Sequence, residues 1–164
     1  MRARGTQRRQ VGDHRYRVLL VSSSGGVLLD LLALEPWWSR HDPCWLAVRA
    51  ADTEAALAGR RVHWVAEQSA RRPLGVLAAA LRAGRLLRRE RPDVIVSAGS
   101  GVAVGVFLAA SVLRIPALWL ETLNLVGAPG LASRVCTRLA AAVLVQRPSL
   151  APSRPHAVVL GELY

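Results

Sequence analysis

The chain has 164 residues, enough for one domain with a real core, and 52% of them are hydrophobic, which excludes an intrinsically disordered protein. Its formal charge is +11, and all 22 basic residues are arginine, a usage that reflects composition as readily as nucleic-acid binding. Two cysteines, Cys44 and Cys136, are too few for a disulfide framework and lack the spacing of a metal-ligand motif, which fits a reducing cytoplasm.

Residues 1–13 read as a basic, disordered tail, and residues 14–164 as one α/β domain. The first β-rich run, Tyr16–Val21, ends in Ser22-Ser23-Ser24-Gly25-Gly26, and apolar residues at helical spacing follow over Val27–Trp38. Strand, glycine-rich turn and helix form the opening of a phosphate-binding βα unit. The alternation continues with a strand at Cys44–Val48, a helix at Asp52–Ala58 opened by an acidic N-cap, and a strand at Val62–Val65. Pro73 starts a long helix to about Arg89, on which Arg82, Arg85 and Arg89 share one face. Asp93–Ser97 reads as a strand buried on both sides, followed by a second glycine-rich turn, Ser97–Gly101, and the apolar helix Val102–Leu113. That apolar run is too short to span a bilayer, which takes about 20 residues. A strand at Ala117–Leu120 ends at Glu121. A loop over Thr122–Ala128, a helix from near Pro129, and strands at Ala142–Val145 and Ala157–Leu160 complete the chain.

This rhythm predicts a Rossmann-like, mostly parallel open sheet with helices on both faces. In such sheets ligands bind at the carboxyl ends of the strands. The residues expected there are Ser24, Gly25 and Gly26 on the first turn, Ser97, Gly99, Ser100 and Gly101 on the second, and Glu121, Asn124 and Gln146 after the later strands. Glycine lets backbone amides approach an anion, and each helix behind a turn adds about half a positive charge. Two such turns facing one crevice would cradle a diphosphate. The glycine spacing is not that of a dinucleotide fingerprint, and without lysine the chain has no phosphate-binding P-loop. Glu121 suits a base or a grip on sugar hydroxyls, the alternative being a helix cap or an ion pair with an arginine. Trp37, Trp38 and Trp45 suit either core packing or a lipid interface. The Arg82, Arg85 and Arg89 face suits either plain solvation or attraction to anionic headgroups.

Four blocks together carry a resemblance: VLLVSSSGGVLLDLLAL, RPDVIVSAGSGVAVGVFLA, IPALWLETLNLVGAPGLASRV, and AAVLVQRPSL with HAVVLGELY. Over about Arg17–Tyr164 they resemble the PssD/CpsF-type polysaccharide-biosynthesis subunits and their relatives of the asparagine-linked glycosylation 14 family. The pattern is also similar to the N-terminal domain of the lipid II-forming GlcNAc transferase, whose acid-x-x-Asn segment resembles Glu121 and Asn124. The resemblance implies a GT-B N-terminal domain, without a cofactor or metal, at the cytoplasmic face of the plasma membrane. Its implied role is the acceptor-binding subunit of a two-component glycosyltransferase, with a polyprenyl-diphosphate-linked sugar on the glycine turns and a nucleotide sugar, UDP-linked, on a PssE-like partner. A donor domain is expected outside this chain, and nucleic acid is not an expected partner. One departure stands out: the family reads GGH where this chain has Gly25-Gly26-Val27, and valine can neither move a proton nor donate a hydrogen bond. Either Glu121 takes over as base, or the chemistry tolerates the loss, or the chain is degenerate, which also fits a non-catalytic scaffold that recruits its partner to the membrane.

Overall fold

The computed structural model describes residues 14–121, 130–154 and 156–161. Seven parallel strands form a sheet in the order β3-β2-β1-β4-β5-β6-β7. They are β1 (Arg17–Ser22), β2 (Asp42–Val48), β3 (Val62–Val65), β4 (Val94–Ser97), β5 (Ala117–Glu121), β6 (Ala142–Val145) and β7 (Ala157–Val159). The helices are α1 (Gly26–Ala33), α2 (Glu35–Trp38), α3 (Ala51–Ala56), α4 (Pro73–Glu90), α5 (Gly101–Leu113) and α6 (Leu131–Leu139), with a 3-10 turn at Pro148–Ser153.

Successive strand residues point to opposite faces, and each face has its own core. On one, Leu19, Val21, Ile95 and Trp119 pack with Phe107, Ala83 and Leu87, which come from α4 and α5. On the other, Val18, Leu20 and Val96 pack with Leu28, Leu31, Trp38 and Leu57, in or next to α1, α2 and α3. Helices thus cover both faces, the expected Rossmann-like arrangement. α5 is apolar all round and buried from Val102 to Phe107 because it lies between the sheet and α4. A Cβ on Gly105 would stand 2.8 Å from Cβ of Ala79, so this glycine is what lets α4 and α5 approach so closely.

Three expectations change. The helix expected over Val27–Trp38 is two helices, because Leu34 breaks the register and Pro36 sits in the first turn of α2. Asp52 is not the N-cap of α3. That place belongs to Ala50, whose N–H is satisfied by Thr53 Oγ1 at 2.9 Å. The helix expected from Pro129 begins at Leu131, while Pro129 itself and the loop 122–128 lie outside the described residues, as does the tail 1–13.

Candidate functional site

The strand order reverses between β1 and β4, which are hydrogen-bonded neighbours with Val21 opposite Ser97. Both glycine turns follow these two strands at the same sheet edge, which makes this point the topological crevice of the fold. They touch: Val27, behind Gly25-Gly26, packs over the second turn so closely that a Cβ on Gly99 would lie 2.9 Å from Val27 Cγ2. Gly25 caps α1 with φ 72°, a left-handed conformation that residues with a Cβ adopt at a cost. Ser24, Gly25 and Gly26 are exposed, and Gly99, Ser100 and Gly101 half-buried.

Side chains already occupy part of this crevice. Asp52, at the adjacent strand end, accepts the Gly25 N–H at 2.8 Å through Oδ2 and the Thr53 N–H at 2.9 Å through Oδ1. Ser100, held at φ 95°, caps α5 by accepting the Val102 N–H at 3.1 Å. Ser97 corrects an expectation. Its hydroxyl is fully buried and lies 2.9 Å from the carbonyl oxygens of both Val21 and Gly99, which share its single proton, so it ties β1 to the second turn and is closed off from the crevice.

Glu121 ends β5 and is 1% exposed. Arg154 Nε donates to Oε2 at 2.7 Å and Ser133 Oγ to Oε1 at 3.1 Å. The carboxylate therefore binds α6 and the segment after the 3-10 turn to the sheet, the arginine-pair alternative read in the sequence. Gln146 is buried at the end of β6, and Asn124 lies outside the described residues.

Of the residues expected at a membrane, Trp38 is corrected. It is 1% exposed, stacks edge-on against Trp45 at 5.7 Å and donates its Nε1–H to the Leu31 carbonyl at 2.8 Å. Trp37 is part-exposed against His41. Arg82, Arg85 and Arg89 are exposed along α4. A different apolar surface accompanies them: Leu74, Leu77 and Leu81, each more than half exposed, run along α4 beside Val112 of α5 and Leu131 of α6. The groove between these helices, near 590 Å³, is lined almost wholly by apolar side chains, with Arg88 at its edge. The leucine spacing of three and four was the available sequence signal, overshadowed by the tryptophan pair. Among the described residues no helix is long and apolar enough to cross a membrane.

No protein-family model matches the chain. A stretch of 89 residues is 36% identical to the UDP-N-acetylglucosamine–N-acetylmuramyl-(pentapeptide) pyrophosphoryl-undecaprenol N-acetylglucosamine transferase of Nitrosospira multiformis, spanning 54% of this chain and 24% of that protein. Among solved structures, MurG of Acinetobacter baumannii superposes with a TM-score of 0.73 at 24% identity, over 88% of this chain and 45% of that one. A UDP-N-acetylglucosamine 2-epimerase of Rickettsia bellii gives 0.70 at 12% identity, over 92% and 46%. A glycosyltransferase of Rickettsia africae gives 0.69 at 14% identity, over 90% and 43%. The chain thus spans about a quarter of the curated relative and less than half of each of these structures. Its parallel sheet, with helices on both faces and a crevice at the β1–β4 reversal, has the Rossmann-like fold of a GT-B N-terminal domain.

Proposed function

We propose that this chain is the acceptor-side part of a glycosyltransferase that works on a polyprenyl-diphosphate-linked sugar, with the nucleotide sugar, UDP-linked, held by a separate donor-binding partner. The observation that carries this reading is the meeting of two glycine turns at the switch point of the sheet. The likeness to a transferase whose name includes a pyrophosphoryl-undecaprenol acceptor supports the substrate class. In a reconstitution with the donor-binding partner, transfer of labelled sugar from UDP-GlcNAc to a polyprenyl-diphosphate acceptor is expected, with no transfer by the chain alone. Turnover by the isolated chain would contradict the division of labour, and inactivity of the pair with every nucleotide sugar would remove the enzymatic reading.

The same reading puts the chain on the cytoplasmic face of the plasma membrane as a peripheral protein. Support comes from α4, where the exposed Leu74, Leu77 and Leu81 row lies beside the Arg82, Arg85 and Arg89 row. Apolar side chains flanked by cations suit the boundary between acyl chains and anionic headgroups. Co-sedimentation with phosphatidylglycerol vesicles is expected. Replacing Leu74, Leu77 and Leu81 together by serine should abolish it, and Arg82, Arg85 and Arg89 to glutamine should weaken it by about 1 kcal/mol per charge and flatten its salt dependence. Vesicle binding untouched by either set would move the membrane contact elsewhere.

A second reading has its own support. With Val27 in the first turn and both Glu121 oxygens engaged by Arg154 and Ser133, a non-catalytic scaffold that recruits its partner also fits. Glycine-turn substitutions that spare transfer by the reconstituted pair but abolish co-purification with the partner would favour it.

A further inference from the structure

We propose that Cys44, His63 and Glu90 form a binding site for one divalent transition-metal ion of the zinc type, at the sheet edge away from the glycine turns. One ligand atom from each, a thiol sulfur, an imidazole nitrogen and a carboxylate oxygen, lies within 4.8 Å of the other two. His63 Nε2 and Glu90 Oε1 stand 3.2 Å apart. A tetrahedral ion with bonds of about 2.0–2.3 Å sets its ligand atoms roughly 3.3–3.8 Å apart. The imidazole–carboxylate edge is therefore already at coordination distance, and the sulfur needs a shift of at most roughly 1.5 Å. Thiolate, imidazole and carboxylate together select zinc or cobalt(II) over magnesium or calcium, which prefer oxygen alone.

The fold holds these three residues firmly. In the β2–β3 pairing His63 stands opposite Leu46, and Cys44 lies two residues before Leu46 on the same strand, hence on the same sheet face. Glu90 is the last residue of α4, which packs on that face through Leu87. The C-terminus of this 18-residue helix directs about half a negative charge to the same point, which favours a cation. The way in is through His63, which is 30% exposed at its side chain and lines a cavity of about 370 Å³ between β3 and α4.

The surrounding charges are compatible with this role. Arg61 lies against Cys44 and reaches Asp42 at 3.5 Å, while Arg89 stands 3.8 Å from Glu90 Oε1 with its side chain 80% exposed. Both can turn outward, Arg61 onto Asp42 and Arg89 into water. Burial pushes the Cys44 thiol up, with Arg61 opposing the shift. Binding breaks the S–H bond, forms the sulfur–metal bond and releases the proton to solvent, so affinity falls as pH falls. Three protein ligands leave a fourth position for water. The ion would fasten the edge strand β3 and the end of α4 onto β2, independently of any transferase activity.

Cobalt(II) tests this on the full, untagged 164-residue chain under reducing conditions. One equivalent is expected to produce a thiolate-to-cobalt charge-transfer band in the near ultraviolet, which an equivalent of zinc removes. Cys44→Ala should abolish the band, whereas Cys136→Ala should leave it intact. His63→Ala and Glu90→Gln should each weaken cobalt binding by at least roughly tenfold. Both of those residues are part-exposed, so they keep the test decisive should the Cys44 variant fail to fold. No band from the folded wild-type chain overturns the site. So does a band that survives Cys44→Ala, or one indifferent to both His63→Ala and Glu90→Gln, as an ordinary ion pair beside a buried thiol would give.

Discussion

Glu121→Ala is expected to lower the stability of this protein by about 3–5 kcal/mol, the cost of removing one partner from a buried ion pair. The Glu121 side chain is fully buried and that of Arg154 only 15% exposed, so water cannot replace the lost carboxylate. The hydrogen bond from Ser133 Oγ disappears with it and leaves that buried hydroxyl without its acceptor. For a chain of this size the midpoint of thermal unfolding should fall by roughly 6–20 °C. Adding Arg154→Met to Glu121→Ala should recover part of the loss, because the second change removes the orphaned cation. A midpoint within a degree of the wild type would show that the pair contributes nothing. The experiment also bears on chemistry. Loss of transfer by a Glu121 variant identifies a base only if the folded fraction is measured beside it, since the same substitution loosens α6 and the segment after the 3-10 turn.

Gly101→Ala is the second substitution with a large expected effect, from a cause legible only in three dimensions. Gly101 opens α5, and a Cβ there would collide with the backbone carbonyl oxygen of Gln68, with the Gln68 carbonyl carbon at 3.0 Å and the Ala70 nitrogen at 3.2 Å. These are backbone atoms and cannot turn aside as the end of a side chain would. The segment before α4 must move, and overpacking of this kind costs about 1–3 kcal/mol. Gln68 donates its side-chain N–H to the Gly75 carbonyl at 2.9 Å, so the movement should pass into the first turn of α4. Gly130→Ala is the matched control. Among the described residues nothing lies within 4 Å of its added Cβ, and its φ is −65°. The cost that remains is the preference for glycine over alanine at the N-cap of α6, so the effect should stay below about 1 kcal/mol. Equal unfolding midpoints for the two variants, by thermal circular dichroism, would contradict the packing argument.

Local chemistry made most of the fold legible. Short Val/Ile/Leu runs bounded by glycine, serine and proline marked the strands, and β3 and β6 have the expected limits. Pro73 marked the start of α4 because proline at a first turn loses no hydrogen bond. Where expectation failed, a local preference lost to a tertiary one. Trp38 reads like Trp37 in the sequence, yet α2 turns one indole into the core against Trp45 and leaves the other at the surface. Asp52 reads as a helix cap, yet β2 and β1 are neighbours, and its carboxylate reaches Gly25 across 27 positions of sequence.

The amino-acid order by itself determined the alternation of strand and helix, the parallel sheet it implies, and the two glycine turns after β1 and β4. Those features depend on residues next to one another in the chain. Only the tertiary structure decided that the turns meet, that Glu121 belongs to Arg154, and that Cys44, His63 and Glu90 converge at the far edge. Partners so distant in sequence are brought together by strand order and register, which arise from burying both faces of the sheet at once and leave no mark in any single stretch of sequence.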